Sequence, residues 1–249
     1  MNGRDYMLEE MTWPEAKEAI ARAKLGLVPV GSLEQHGPHL AMDADAVSAY
    51  DFSRLLAERV FPKAVVTAPI SFGVSSHHMD FPGTVTLRPE TLIAVAIDIG
   101  VSLKHHGLTH VLFVNGHGGN RDALGVATTN LRFDHGLKAG HVLPEPLAQS
   151  EALSGLSTPW LGHSCELEVS VMMHLRKDRV RTDALVEGKP TGRKLRYLLM
   201  GVSVPVPFSE ITENGAFGGA PHATAERGAA IVEDSLRRVS EFIEEFLVD

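Results

Sequence analysis

Five side chains that could bind a cation lie within twelve residues between Gly31 and Asp45, and they are Glu34, His36, His39, Asp43 and Asp45. Carboxylates and imidazoles together are common ligands of divalent transition metals. A Gly37-Pro38 turn folds the acids and imidazoles back toward one another. The segment follows the apolar run 25–30, which is typical of a buried parallel strand. Since ligands of parallel α/β sheets lie beyond the carboxyl ends of strands, we predict a metal site here.

A second candidate ligand is His117, which lies among glycines in the turn from Asn115 to Asn120. The turn lacks the Walker lysine and the Gly-x-Gly-x-x-Gly spacing, so it does not indicate phosphate binding. Its glycines would instead let the backbone come close to the target of His117. A buried histidine with one hydrogen-bond partner is the alternative. The acidic segment at a neighbouring strand end favours metal binding.

A third candidate site is the segment from His163 to Ser170. On a helix, Glu166 and Glu168 would point about 200° apart, so only one of them could face the strand ends. One acid is therefore a candidate ligand, although acids at a helix amino terminus are also favourable without a metal. Cys165 is not indicated as a nucleophile, because no Cys-His pattern accompanies it.

The motifs lie between alternating strand and helix patterns. Helices are predicted over 12–24, 46–60, 88–107, 121–133, 166–175 and 224–247, and strands over 25–30, 65–70, 111–114 and, as a short addition, 141–143. Thr12 and Glu15 have capping-box spacing. Residues 71–86 and 144–162 are interpreted as loops that shape a site, and 202–207 as an extended segment or edge strand in the poorly readable region 181–219. This alternation predicts an α/β fold whose mostly parallel sheet is covered on both faces.

Composition narrows the class of protein. A chain of 249 residues with 44% hydrophobic content is expected to form one α/β domain over residues 1–249. Its net charge of −8 and lack of a basic run argue against a nucleic-acid partner. The absence of a signal peptide and of any apolar run of about 18 residues predicts a cytoplasmic protein without membrane attachment. Cys165 is the single cysteine, so no intrachain disulfide is expected.

Four motifs, in matching order, resemble the creatininase (creatinine amidohydrolase) family over essentially the whole chain: residues 31–40, the Phe81-Pro-Gly-Thr84 segment, the turn 115–120 and the segment 168–170. The resemblance implies a three-layer α/β/α sandwich and two divalent metal ions per subunit, zinc or else manganese or iron. It also implies hydrolysis of an amide C–N bond and a homo-oligomer, often a hexamer. By motif match, Glu34, His36, Asp45 and His117 take metal positions, with Asp45 as the bridge.

The sequence departs from creatininase itself at one ligand. Creatininase has a glutamate two residues after the histidine of the turn, whereas this chain has Gly119. Family members with a Gly-Gly turn carry the acid in the later segment, which points to Glu168 here, with Glu166 as second choice. Such members include a formamidopyrimidine nucleotide deformylase and a peptidase that trims the mycofactocin precursor. The departure makes creatinine a doubtful substrate.

The ligand set predicts the chemistry. Two cations about 3.5–4 Å apart would share a bridging hydroxide and polarise the scissile carbonyl. His163 matches the family position of the proton donor, Glu34 is expected to be essential for catalysis, and His78 is a candidate substrate contact. His39 and Asp43 are alternatively partners that orient the ligands.

The resulting hypothesis is a dinuclear amidohydrolase acting on a small cyclic amide or formamide, with a small-molecule substrate as its partner. The alternatives are a peptidase-like maturation enzyme of the mycofactocin type and a metal-stabilised binding protein without turnover. They differ in coordination, because a structural site is closed by protein ligands whereas catalysis needs an open position.

Overall fold

A parallel four-stranded sheet lies at the centre of the fold in a computed structural model, which describes residues 5–144, 153–156, 162–193 and 204–248. The strands are β1 (Leu25–Val30), β2 (Ala64–Val66), β3 (His110–Asn115) and β4 (Lys138–Val142), and their order in the sheet is β2-β1-β3-β4. All three strand pairs are parallel. Both β1 and β3 are buried along their whole length, as expected for central strands with apolar runs.

Helices cover both faces of the sheet. They are α1 (Trp13–Arg22), α2 (Ala44–Arg59), α3 (Pro89–His105), α4 (Arg121–Phe133), α5 (Glu166–Leu175) and α6 (Ala225–Phe246). Leu25 and Leu27 of β1 belong to the core beneath α2, α5 and α6. Val28 and Val30 belong to the opposite core beneath α1, α3 and α4. The three-layer α/β/α sandwich is therefore confirmed.

The strand order places a topological switch between β1 and β3. The chain leaves β1 toward β2 on one side and leaves β3 toward β4 on the other. The last residues of these two strands, Val30 and Asn115, are register partners. The segments that follow them therefore diverge from adjacent points, which is where open α/β sheets bind ligands.

Some element boundaries differ from the predicted ones. β2 ends at Val66 instead of reaching Ile70, which pairs with Val30 only through an isolated bridge. Pro69, the residue before Ile70, has no amide hydrogen to donate to a ladder. β4 spans Lys138–Val142, because pairing with β3 forms a strand from a mixed polar sequence that has no apolar run. The capping box of Thr12 and Glu15 is confirmed.

The predicted extended segment at 202–207 falls partly outside the described residues. Residues 204–207 are described and do not form a strand, whereas 202 and 203 lie outside. The proposed site-shaping loop at 144–162 is described only at 144, 153–156 and 162. Within the described part of the chain, no helix has the length and apolar character needed to cross a bilayer.

Candidate metal centre

The candidate centre lies where β1, β3 and the first turn of α2 meet. Two glycines allow this approach. A Cβ on Gly31 would lie 2.2 Å from the Cα of Ala46, and a Cβ on Gly116 would lie 2.2 Å from the carbonyl oxygen of Asp45. Only glycine at these positions lets α2 begin directly against the strand ends. Asp45 therefore lies in the first turn of α2, not in the preceding loop as predicted, where the helix dipole favours its negative charge.

Glu34, Asp45 and His117 form one group of potential ligands. Glu34 Oε2 lies 3.2 Å from His117 Nε2, and Asp45 Oδ2 lies 3.3 Å from His117 Nδ1. All three side chains are buried. Two of their buried oxygens, Glu34 Oε1 and Asp45 Oδ2, have no hydrogen-bond partner among the described residues. Since a buried carboxylate oxygen without a hydrogen bond is costly, these atoms fit the site of a cation.

His36, His163 and Glu168 form a second group beside the first. The imidazole centroids of His36 and His163 are 4.4 Å apart. His36 Nε2 lies 3.0 Å from Asp45 Oδ1, so the two oxygens of Asp45 face different groups. This arrangement suits a carboxylate that bridges two cations.

The two central imidazoles are oriented by backbone carbonyls. His36 Nδ1 donates to the carbonyl of Glu34 at 3.2 Å, and His117 Nε2 donates to the carbonyl of Val74 at 3.0 Å. In each ring the second nitrogen faces Asp45. A hydrogen bond from one ring nitrogen to a carbonyl is the usual support of a metal-binding histidine.

The histidines and carboxylates shift one another's pKa. Burial opposes the charged form of each, yet His117 holds the pKa of Glu34 well below its usual range and Asp45 raises the pKa of His36 to about 10. Protons on the rings of His36 and His117 therefore supply positive charge at the places where the cations would supply it. Burial raises the pKa of Glu168 to about 7 and lowers that of His163 to about 3.

The two acids of α5 point to different environments, as their spacing predicts. Glu168 lines the cavity at the centre and accepts a hydrogen bond from the amide of Ser164. Glu166, the second choice as ligand, pairs with Arg227 of α6. This pairing separates Glu166 from the ligand groups and leaves Glu168 as the acid that faces them.

The other two polar residues of the first motif contact residues that belong to neither ligand group. His39 is buried and its Nε2 lies 2.9 Å from the carbonyl oxygen of Ser164. Asp43 precedes α2 and pairs with Arg179 at 3.3 Å. Neither belongs to a ligand group among the described residues, and their role as partners that orient the ligands stays a prediction.

Several contacts of the site were missed by sequence reasoning. Ser75 donates a hydrogen bond to Glu34 Oε2 and lies 3.2 Å from His117 Nε2. Ser164 adopts a φ of 51° and its hydroxyl donates to the carbonyl of His36. The ring of Phe208 is tilted against that of His78 and edge-on to that of His163, with centroids 4.5 and 4.9 Å away. Isolated serines and a phenylalanine in a region without periodicity give no signal in the sequence.

A cavity of about 270 Å³ opens onto both ligand groups. His77, His78 and Phe208 line it together with the candidate ligands. The ring of His77 stacks on that of His117 with a centroid separation of 5.6 Å. The cavity gives a small substrate access to the place where the carboxylates and imidazoles converge.

The family model of creatinine amidohydrolase, creatininase, matches residues 9–243 of this chain. The chain belongs to the creatininase family. The resemblance seen in the motifs is thereby confirmed, and family membership makes the protein a relative of amide-bond hydrolases.

Relatives within the creatininase family differ in what they are named for. The chain is 33% identical to the mycofactocin precursor peptide peptidase of Mycolicibacterium smegmatis over 90% of this chain and 85% of that protein. It is 27% identical to the creatinine amidohydrolase of Pseudomonas putida over 97% of both chains. A manganese form of creatininase matches with a TM-score of 0.80 and 26% identity, covering 96% of this chain and 97% of that one. A Zn-Zn form of a creatininase mutant matches equally well, with a TM-score of 0.80.

Proposed function

We propose that this creatininase-family protein is an amidohydrolase that uses two divalent cations. The observation that carries the proposal is the position of Asp45, whose two carboxylate oxygens face two separate groups of ligands. A site for a single ion would not need a buried carboxylate turned to both sides. Glu34 Oε1 and Asp45 Oδ2, which have no hydrogen-bond partner among the described residues, support the same conclusion.

Under this proposal, Glu34, Asp45 and His117 hold one ion, and His36, Asp45 and Glu168 hold the other. Zinc, manganese and iron(II) all suit this mixture of carboxylates and imidazoles. When bound, the pair of ions would activate a water molecule and polarise the scissile carbonyl.

His163 is proposed to handle the proton that the departing nitrogen needs. Its Nε2 donates to the carbonyl of Gln35 at 2.7 Å, which turns Nδ1 toward the centre, 3.9 Å from Glu34 Oε1. Because Nε2 carries the ring proton, Nδ1 has a free electron pair that can take up a proton and pass it on. Removal of His163 should therefore lower the turnover rate more than it lowers metal content.

The substrate class that we propose first is a small cyclic amide or formamide, bound in the cavity that His78 and Phe208 line. The cavity of about 270 Å³ is large enough for such a molecule. Creatinine itself is not singled out, since Gly119 stands where creatininase has an acid.

A short peptide is the second candidate substrate, and one observation favours it. Identity to the mycofactocin precursor peptide peptidases is 31–33%, against 27% for the creatinine amidohydrolase. A peptidase would cleave short peptides and ignore lactams.

The test is metal analysis of the purified protein, combined with hydrolysis assays on creatinine, other lactams, formamides and short peptides. Activity should disappear with a chelator and return with zinc or manganese. Glu34→Gln should lose activity and metal while retaining its circular dichroism spectrum. Glu166→Gln is the matched control and should retain both ions, since Glu166 pairs with Arg227.

Two outcomes would reject the proposal. Full activity after complete metal removal would rule out a metal-dependent reaction. Collapse of the fold in Glu34→Gln, with no turnover of any amide by the intact protein, would instead favour a metal-stabilised binding protein.

A cytoplasmic location and a homo-hexameric assembly complete the proposal. The location is proposed from the sequence, and the assembly from the family resemblance. Light scattering coupled to size-exclusion chromatography would test the assembly, and a monomer would refute it.

A further inference from the structure

We propose that His78 is a positioning residue that presents its Nε2–H to Glu34 and is itself unable to bind a metal ion. The inference rests on the proposed dinuclear centre for its consequence but not for its geometry. It concerns the third potential ligand group, made of Glu34, His78 and His163. A chain of polar contacts runs outward from Glu34 through His78 and Gln35 to the turn at Gly215.

The orientation of the Gln35 amide is fixed by two backbone groups. Its Oε1 accepts a hydrogen bond from the amide of Gly37 at 3.0 Å, and its Nε2 donates to the carbonyl of Gly215 at 3.1 Å. An amide hydrogen can only donate and a carbonyl can only accept, so the side chain cannot be rotated by 180°. The NH2 group of Gln35 therefore lies on the side of His78.

This orientation determines where the proton of His78 sits. His78 Nδ1 lies 2.8 Å from Gln35 Nε2 and must accept its hydrogen bond. The ring is therefore neutral with its proton on Nε2. That nitrogen lies 3.3 Å from Glu34 Oε1, the carboxylate oxygen that has no hydrogen-bond partner among the described residues.

His78 thus differs from the two histidines proposed as ligands. His36 and His117 each donate one N–H to a backbone carbonyl and turn the other nitrogen toward Asp45. His78 accepts a hydrogen bond from outside the centre and turns its N–H inward. Because its inward nitrogen has no free electron pair, it cannot ligate a cation.

The position of the His78 ring is set by its neighbours. The side chain is 2% exposed, and its ring packs between those of His163 and Phe208 with centroid separations of 4.5 Å each. Gly215 has a φ of 78°, and a Cβ there would lie 2.1 Å from Gln35 Oε1. The turn at Gly215 therefore reaches Glu34 through two side chains, and this support should fix the orientation of the carboxylate.

The direct test is nitrogen NMR of the metal-free protein labelled with 15N-histidine. The His78 resonances, assigned by their loss in His78→Gln, should show the neutral tautomer protonated at Nε2. A ring protonated at Nδ1, or at both nitrogens at neutral pH, would overturn the proposal. This measurement needs neither substrate nor metal, so its outcome is independent of the proposed function.

Metal affinity gives the second test, measured by competition with a chelator. His78→Leu should weaken zinc binding roughly 10- to 100-fold, the usual effect of losing a residue that orients a ligand. His78→Gln carries an amide N–H at the position of Nε2 and should recover most of this loss. His110→Gln, at a buried histidine in the first position of β3, is the control and should bind as the unmodified protein does.

Two results of the metal titration would reject the proposal. Equal metal affinity in His78→Leu and the unmodified protein would reject the positioning role and leave His78 as a substrate contact or a packing residue. Loss of one bound ion per chain in His78→Leu, not recovered in His78→Gln at saturating zinc, would mean that His78 is itself a ligand.

Discussion

Gly119→Ala should lower both the stability of the protein and its affinity for zinc, whereas Gly118→Ala should change neither. A Cβ on Gly119 would lie 2.2 Å from the carbonyl oxygen of Val74 and 2.4 Å from His117 Nε2. A Cβ on Gly118 would meet no atom within 4 Å. Neither glycine has a positive φ, so the two substitutions differ in steric contact and not in backbone strain.

The size of the effect follows from the contacts. Both distances are more than about 1 Å shorter than an ordinary contact, so the Val74 carbonyl and the His117 ring must move apart. Overpacking of this kind costs about 1–3 kcal/mol of unfolding free energy. Disturbing the hydrogen bond that orients His117 should also weaken metal binding roughly 10- to 100-fold. Gly118→Ala should stay within about 0.5 kcal/mol of the unmodified protein.

The assay is urea unfolding of the two metal-free variants, followed by zinc titration against a chelator. Equal stability and equal zinc affinity in Gly118→Ala and Gly119→Ala would refute the reasoning. Such a result would mean that the Val74 carbonyl does not hold His117 in place.

Three further predictions concern the acids and the cysteine of the segment 163–170. The pKa of Glu168 is about 7 when folded, above its usual value, so the folded state keeps a proton that the unfolded state releases. The stability of the metal-free protein should therefore fall as the pH rises to 7. Urea unfolding should show a smaller fall for Glu168→Gln. Glu166→Gln should destabilise the protein by about 1.5–3 kcal/mol, the value of a hydrogen bond to a charged group, because it breaks the pair with Arg227. Calorimetry should show this destabilisation at unchanged metal content. A loss of zinc would show that Glu166 is a ligand after all. Cys165 is 3% exposed and burial raises its pKa to about 11, so iodoacetamide at neutral pH should label it only after unfolding, and rapid labelling of the folded protein would contradict its burial.

The order of elements could be predicted because the relevant patterns are local. Apolar runs of branched residues marked β1 and β3, and Thr12 with Glu15 marked the start of α1. β4 was predicted too short, since its formation depends on pairing with β3 and not on its own composition. β2 was predicted too long, because Val65 to Ile70 read as one strand, whereas the regular ladder ends at Val66 and Ile70 meets Val30 only through an isolated bridge.

The candidate centre could likewise be predicted only in part from the sequence. The ligand types, their spacing and the choice between two faces for Glu166 and Glu168 are properties of the sequence, because side-chain chemistry and helical periodicity are local. The assignment of ions to these residues remains a prediction that metal analysis can test.

Only the tertiary structure decided which atoms face each other. Gln35 and Gly215 are 180 residues apart in the chain, yet their hydrogen bond fixes the amide that orients His78. Likewise, the two oxygens of Asp45 face His36 and His117 because Gly31 and Gly116 let α2 begin against two strand ends. The physical reason is that hydrogen-bond direction and close contact depend on distances between segments, and no local pattern in the sequence records those distances.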